Sequence, residues 1–147
     1  MFDFDIPDQH HVSRYCNPSS LKADGTPSGV AFRLRSHKNE RYLSVNWLEY
    51  AHSASRSEQL AKVRESFIEK GFGIASSAKF AVLNVGEIAA HVFEMSGHKI
   101  CASHQLEDKD PSHSGLFGYT YSDEDDLIAD LMAEKVIELY PARSQKK

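Results

Sequence analysis

The run Phe80–Ile88, FAVLNVGEI, is almost uninterrupted in apolar residues yet far shorter than the ~18 residues a membrane-spanning helix needs. It reads as a strand at the centre of a sheet, where both faces are covered. The rest of the chain must therefore supply strands to flank it and helices to pack on it. A length of 147 residues suits one domain spanning 1–147.

Two further segments alternate apolar and polar residues. Val30–Arg35 places Val30, Phe32 and Leu34 on one face, and Tyr42–Trp47 places Leu43, Val45 and Trp47 on one face. Joined by the polar connection 36–40, they are expected to form a hairpin. Residues His91–Met95 and Lys99–Ala102 are expected to form two more strands about a tight turn at Ser96-Gly97.

The clearest helix covers Ser57–Lys70. Ser55 and Glu58 have the spacing of a capping box, Leu60, Val63, Phe67 and Ile68 share one face, and Gly71 is a stop signal. A second helix is expected to begin at Ser122, with Asp123, Glu124, Asp125 and Asp126 in its first turn, and to end before Pro141. Residues 1–29, punctuated by Pro7, Pro18, Pro27, Gly25 and Gly29, read as an irregular segment. The polar tail 141–147 reads as frayed. The expected architecture is α+β: a mostly antiparallel sheet of about five strands with two main helices packed on it.

Composition excludes several classes. The net charge of −4 and pI near 6.0 disfavour a nucleic-acid partner, although Arg33, Arg35, Lys38 and Arg41 lie close together in sequence. The acidic beginning MFDFDIPDQHH does not resemble a signal peptide, so no membrane association is expected. Two cysteines, Cys16 and Cys101, are too few for a disulfide framework, and the expected location is cytoplasmic. A phosphate-binding glycine loop, a dinucleotide fingerprint, a zinc-protease motif and a Gly-x-Ser-x-Gly elbow are all missing.

Histidine is abundant, with eight residues in the chain. Four of them fall in two polar segments. The first, His10-His11-Val12-Ser13-Arg14-Tyr15-Cys16, offers imidazoles for proton transfer near neutral pH and a guanidinium for a carboxylate or phosphate. The second is a long polar loop over residues 103–118, containing His104, Asp110, Ser112 and His113 around Pro111 and Gly115.

These segments motivate a ligand site in which His10, His11, Arg14, Asp110, Ser112 and His113 carry acid/base chemistry on a phosphorylated or nucleotide-like substrate. The alternative is an adaptor that binds a protein partner instead of a small anionic ligand. A third reading is a metal-stabilised module. No cofactor is expected, but zinc would require His11, Cys16, Cys101 and His104 to converge as a Cys2His2 set.

Overall fold

The computed structural model describes residues 5–35, 39–53 and 55–143. Ser36, His37 and Lys38 of the expected connection, and the tail from Ser144, lie outside them. The fold is α+β, and the described residues form an antiparallel sheet of six strands with three α-helices.

The strands are β1 (His11–Cys16), β2 (Leu43–Trp47), β3 (Lys79–Asn84), β4 (Cys101–His104), β5 (His113–Phe117) and β6 (Glu138–Pro141). Their order across the sheet is β4-β5-β2-β1-β3-β6. The helices are α1 (Arg56–Glu69), α2 (Val85–Ser96) and α3 (Glu124–Ala133).

The sheet is covered on both faces. Ala81 and Leu83 of β3 join Val12, Cys16, Leu43, Val45 and Leu116 beneath α2 and α3. Phe80 and Val82 point the other way and pack with Leu60, Val63 and Phe67 of α1. This two-sided burial is why β3 is apolar at successive positions.

Helix α1 forms as expected. The Ser55 hydroxyl accepts from the Glu58 amide at 3.2 Å, and Gly71 takes a positive φ of 77° just beyond the end.

Several expectations are corrected. Residues 1–29 are not irregular throughout, because β1 lies in the interior of the sheet and pairs with β3 from His11↔Asn84 to Cys16↔Lys79. The strand expected at Val30–Arg35 is instead a 3-10 turn over Gly29–Phe32, capped by the Ser28 hydroxyl. Phe32 enters the core there, while Val30 is 50% exposed. The hairpin with Tyr42–Trp47 therefore does not form, and β2 pairs with β1 and β5.

The apolar run ends as a strand at Asn84. The Asn84 side chain accepts from the Glu87 amide at 2.8 Å and starts α2, so His91–Met95 is helical. Val85, Ile88 and Val92 supply the buried face of that helix. Ser96-Gly97 is its C-terminal cap, with Gly97 at φ 80°, and not a hairpin turn.

The expected 103–118 loop shrinks to the connection 105–112 because β5 begins at His113. Helix α3 stops at Ala133, and residues 138–141 add the edge strand β6. Pro141 is tolerated at such an edge.

Cys16 provides a test of burial. Desolvation pushes its thiol from an ordinary 9.0 up to about 11, against the pull of the Arg14 guanidinium and of a hydrogen bond with the Ala81 backbone. Above pH 9 the unfolded chain ionises this thiol while the folded chain keeps it protonated. Stability is therefore full below pH 9 and falls by about 1.4 kcal/mol per pH unit until about pH 11. Tyr119, also pushed up by burial, steepens the loss above its ordinary value of 10.0. Urea unfolding at pH 8, 9 and 10 should show a slope between pH 9 and 10 that Cys16→Ala removes; identical curves for the two proteins would contradict this burial.

Candidate functional site

The half of the sheet face that α1 leaves to β2, β4 and β5 is polar. Strand alternation puts Ser44 and Asn46 of β2 on this face, and Asn46 pairs in register with His113 of β5 and with Ser13 of β1. Ser13, Asn46, Ser103 and His113 are all buried. The Ser13 hydroxyl has no hydrogen-bond partner among the described residues.

The connection 105–112 closes over this polar face with a buried carboxylate. Asp110 is 0% exposed. One of its oxygens accepts from Asn46 Nδ2 at 2.8 Å, and the other is 2.8 Å from the ammonium of Lys70 just beyond α1. Asn46 Nδ2 also lies 2.9 Å from Ser112 Oγ. Lys70 is further drawn toward Glu107, at 3.5 Å.

His113 sits beside this network. Its Nδ1 is 2.9 Å from the Gln105 carbonyl, which can only accept, so that nitrogen carries the proton. Nε2 is left facing the Ser44 hydroxyl at 3.3 Å. Glu107 approaches Nδ1 at 3.6 Å.

A cleft of about 510 Å³ opens between α1 and the 108–112 stretch. Trp47 and Tyr50 form its aromatic end, Pro111 and Ser112 one wall, and Lys62 of α1 the other. Lys109 and Asp108 also line it, as do Glu65 and Glu69. Neither Lys62 nor Lys109 forms an ion pair among the described residues.

The two histidine-bearing segments meet behind this cleft at Trp47. The Trp47 indole donates to His10 Nδ1 at 3.0 Å. His104 packs edge-on against the same indole with ring centroids 5.3 Å apart, and its Nε2 is held by the Pro111 carbonyl at 2.6 Å. The Trp47 amide donates to the Ser112 carbonyl at 2.9 Å. His10, Trp47, His104 and Ser112 are thus one connected cluster.

The other expected site residues fall elsewhere. His11 is engaged by Glu49, through its amide at 2.7 Å and its Nδ1 at 2.5 Å. Arg14 lies on the opposite sheet face from Asn46 and His113, donating to the carbonyls of Ala31 at 2.8 Å and Ser44 at 2.9 Å. Burial is the largest influence on its pKa and lowers it, with charge on Cys16 and Glu40 opposing. Arg14 thus ties the Gly29–Phe32 turn to the sheet and does not face the cleft.

The four residues expected to hold zinc are not brought together. Cys16 and His11 occupy opposite ends and opposite faces of β1, and β4, which carries Cys101 and His104, is three strands away, roughly 14 Å. No group of three or more metal-ligating side chains gathers among the described residues. Nor, among them, is any helix long and apolar enough to cross a membrane. The basic cluster is partly neutralised, since Arg35 pairs with Glu40 at 2.7 Å and Arg33 with Asp126 at 3.3 Å.

Lys70 carries no motif in sequence. It looks like an ordinary helix end, and its partner Asp110 is 40 residues away. Asn46 leaves one trace, a polar side chain inside the alternating LSVNW strand, and its aromatic neighbour Trp47 reads only as core. Comparison with protein families, with curated proteins and with solved structures finds no match to this chain.

Proposed function

We propose that this protein binds a small polar ligand bearing a ring, of nucleotide-like character, in the cleft between α1 and the 108–112 stretch. The observation that carries this reading is the composition of one cavity of about 510 Å³: Trp47 and Tyr50 at one end, and along the walls Ser112 with Lys62 and Lys109, whose ammonium groups form no ion pair among the described residues. This volume falls in the range of small-molecule pockets. A planar ring stacks on aromatic faces, and ammonium groups attract a phosphate or carboxylate. The carboxylates of Glu65, Glu69 and Asp108 accept hydroxyl donors such as those of a sugar. They also make the lining acidic on balance, which favours a ligand carrying one anionic group over a polyphosphate.

Trp47 is the chain's only tryptophan and is among the residues that line the cleft, so its emission is the probe for ligand there. Titration with adenosine 5′-monophosphate and with adenosine is expected to give a saturable change in Trp47 emission below about 1 mM. Unchanged emission with both compounds would overturn the reading.

A protein-docking role is the second reading. It is favoured by two large apolar side chains of α2 that stand in solvent, Phe93 at 52% and Met95 at 58% exposed.

A further inference from the structure

The polarity of the hydrogen bonds around Asp110 determines what Ser112 offers to the cleft. A carboxylate whose second oxygen is held by the Lys70 ammonium acts as an acceptor only. The group of Asn46 that faces Asp110 Oδ1 at 2.8 Å must then be its NH2. The same nitrogen has one more hydrogen, and Ser112 Oγ lies 2.9 Å from it. Ser112 Oγ therefore accepts from Asn46, and its own proton must point elsewhere. No acceptor for that proton exists among the described residues, and Ser112 lines the cleft. The Ser112 proton is thereby left for an acceptor in the cavity that this residue lines.

We infer that Ser112 is the specificity determinant of the cleft, donating to an anionic oxygen of the ligand, with Asp110 and Lys70 as positioning residues that act through Asn46. The ligand class follows from this polarity. A phosphate monoester or carboxylate satisfies the Ser112 proton together with the ammonium of Lys62 or Lys109, whereas a ligand presenting a donor at that position leaves this proton without an acceptor. The buried relay matters because a serine hydroxyl otherwise rotates to suit either partner. Here Asp110, fully excluded from water, leaves Asn46 one orientation, so the Ser112 proton is not spent on Asn46.

This inference rests on the cleft being a ligand site, and the experiment separates the two. Trp47 emission is titrated with adenosine 5′-monophosphate and with adenosine for the wild type, Ser112→Ala, Ser112→Thr and Asp110→Asn. The wild type is expected to prefer the phosphate ester. Ser112→Ala should weaken the phosphate ester roughly tenfold to a hundredfold, the usual effect of losing a hydrogen bond to a charged group, and leave adenosine unchanged. Ser112→Thr, which keeps the hydroxyl, should restore the preference.

Asp110→Asn frees the Asn46 amide to turn over and should lower the ratio of the two affinities, a quantity that simple loss of folded protein does not alter. Should that variant fail to fold, the two Ser112 variants decide the matter alone. Binding of both compounds by the wild type with a ratio that Ser112→Ala leaves unchanged would overturn this inference and leave the cleft reading standing. Silence of Trp47 toward both compounds in the wild type would overturn both.

Discussion

Replacing Phe32 by alanine should lower the free energy of unfolding by about 3–5 kcal/mol, the usual range for emptying a fully buried aromatic site. The melting temperature should fall by roughly 6–20 °C for a domain of this size. Phe32 has no exposed surface, and it sits in a 3-10 turn where few backbone hydrogen bonds hold the chain in place. Its backbone carbonyl accepts from the buried Tyr119 hydroxyl at 2.5 Å, and its ring packs in the core shared by α3 and the sheet. Val30, two residues earlier and half-exposed, provides the control: Val30→Ala should change stability by no more than about 0.5 kcal/mol. If Val30 rather than Phe32 proved the costly position, the segment would be the half-buried strand that its alternation suggests.

An effect of similar size is expected at Lys70. Methionine in its place leaves the Asp110 carboxylate buried with Asn46 as its remaining donor, and removing one member of a buried pair costs about 3–5 kcal/mol. The converse substitution is milder, because the Lys70 side chain is 31% exposed and can turn to water once Asp110 is neutral. Asp110→Asn should therefore cost less than Lys70→Met, and adding Asp110→Asn to Lys70→Met should recover part of the lost stability. Chemical denaturation of the two single variants and the double variant measures this coupling. A Lys70→Met protein within 1 kcal/mol of the wild type would mean that Asp110 finds water or another cation.

The elements legible in sequence were those whose local signals agree with their burial. Ser55, Glu58, Leu60, Val63 and Phe67 define α1 with no reference to anything distant, and Leu43, Val45 and Trp47 define β2. The strand β1 was hidden by Arg14, a charged residue at an inward-facing position between Val12 and Cys16. Its guanidinium is satisfied by carbonyls 17 and 30 residues away, which no local pattern encodes. Helix α2 was hidden by Asn84, which looks like one polar interruption in an apolar run and is in fact the cap at which a strand becomes a helix.

The same distinction holds at the candidate site. Asp110, Ser112 and His113 stand out in sequence because a proline-stiffened polar stretch concentrates them. Asn46 shows only as a polar side chain on the face opposite Leu43, Val45 and Trp47, and its link to Asp110, 64 residues on, leaves no local signal. The Trp47 cluster joins His10 to His104 across three separate segments, so neither histidine segment predicts the other. Arg14 and His11 stand out in sequence for their chemistry, but the sheet assigns them to a carbonyl pair and a carboxylate away from the cleft wall.

The interior position of β1 also constrains how the chain is made. The first strand in chain order lies between β2 and β3, and His11 finds its partner only when Asn84 has been synthesised. On the ribosome, the segment carrying Arg14 and Cys16 must wait through the emergence of β2 and α1 before the sheet can close around it. Such distant pairing slows folding relative to a chain whose neighbours in sequence are neighbours in space. During that interval the strand is an unpaired edge, and its guanidinium and hydroxyl, on Arg14 and Ser13, make it a poor template for aggregation. The polar residues that conceal this strand in the sequence thus protect it while it waits.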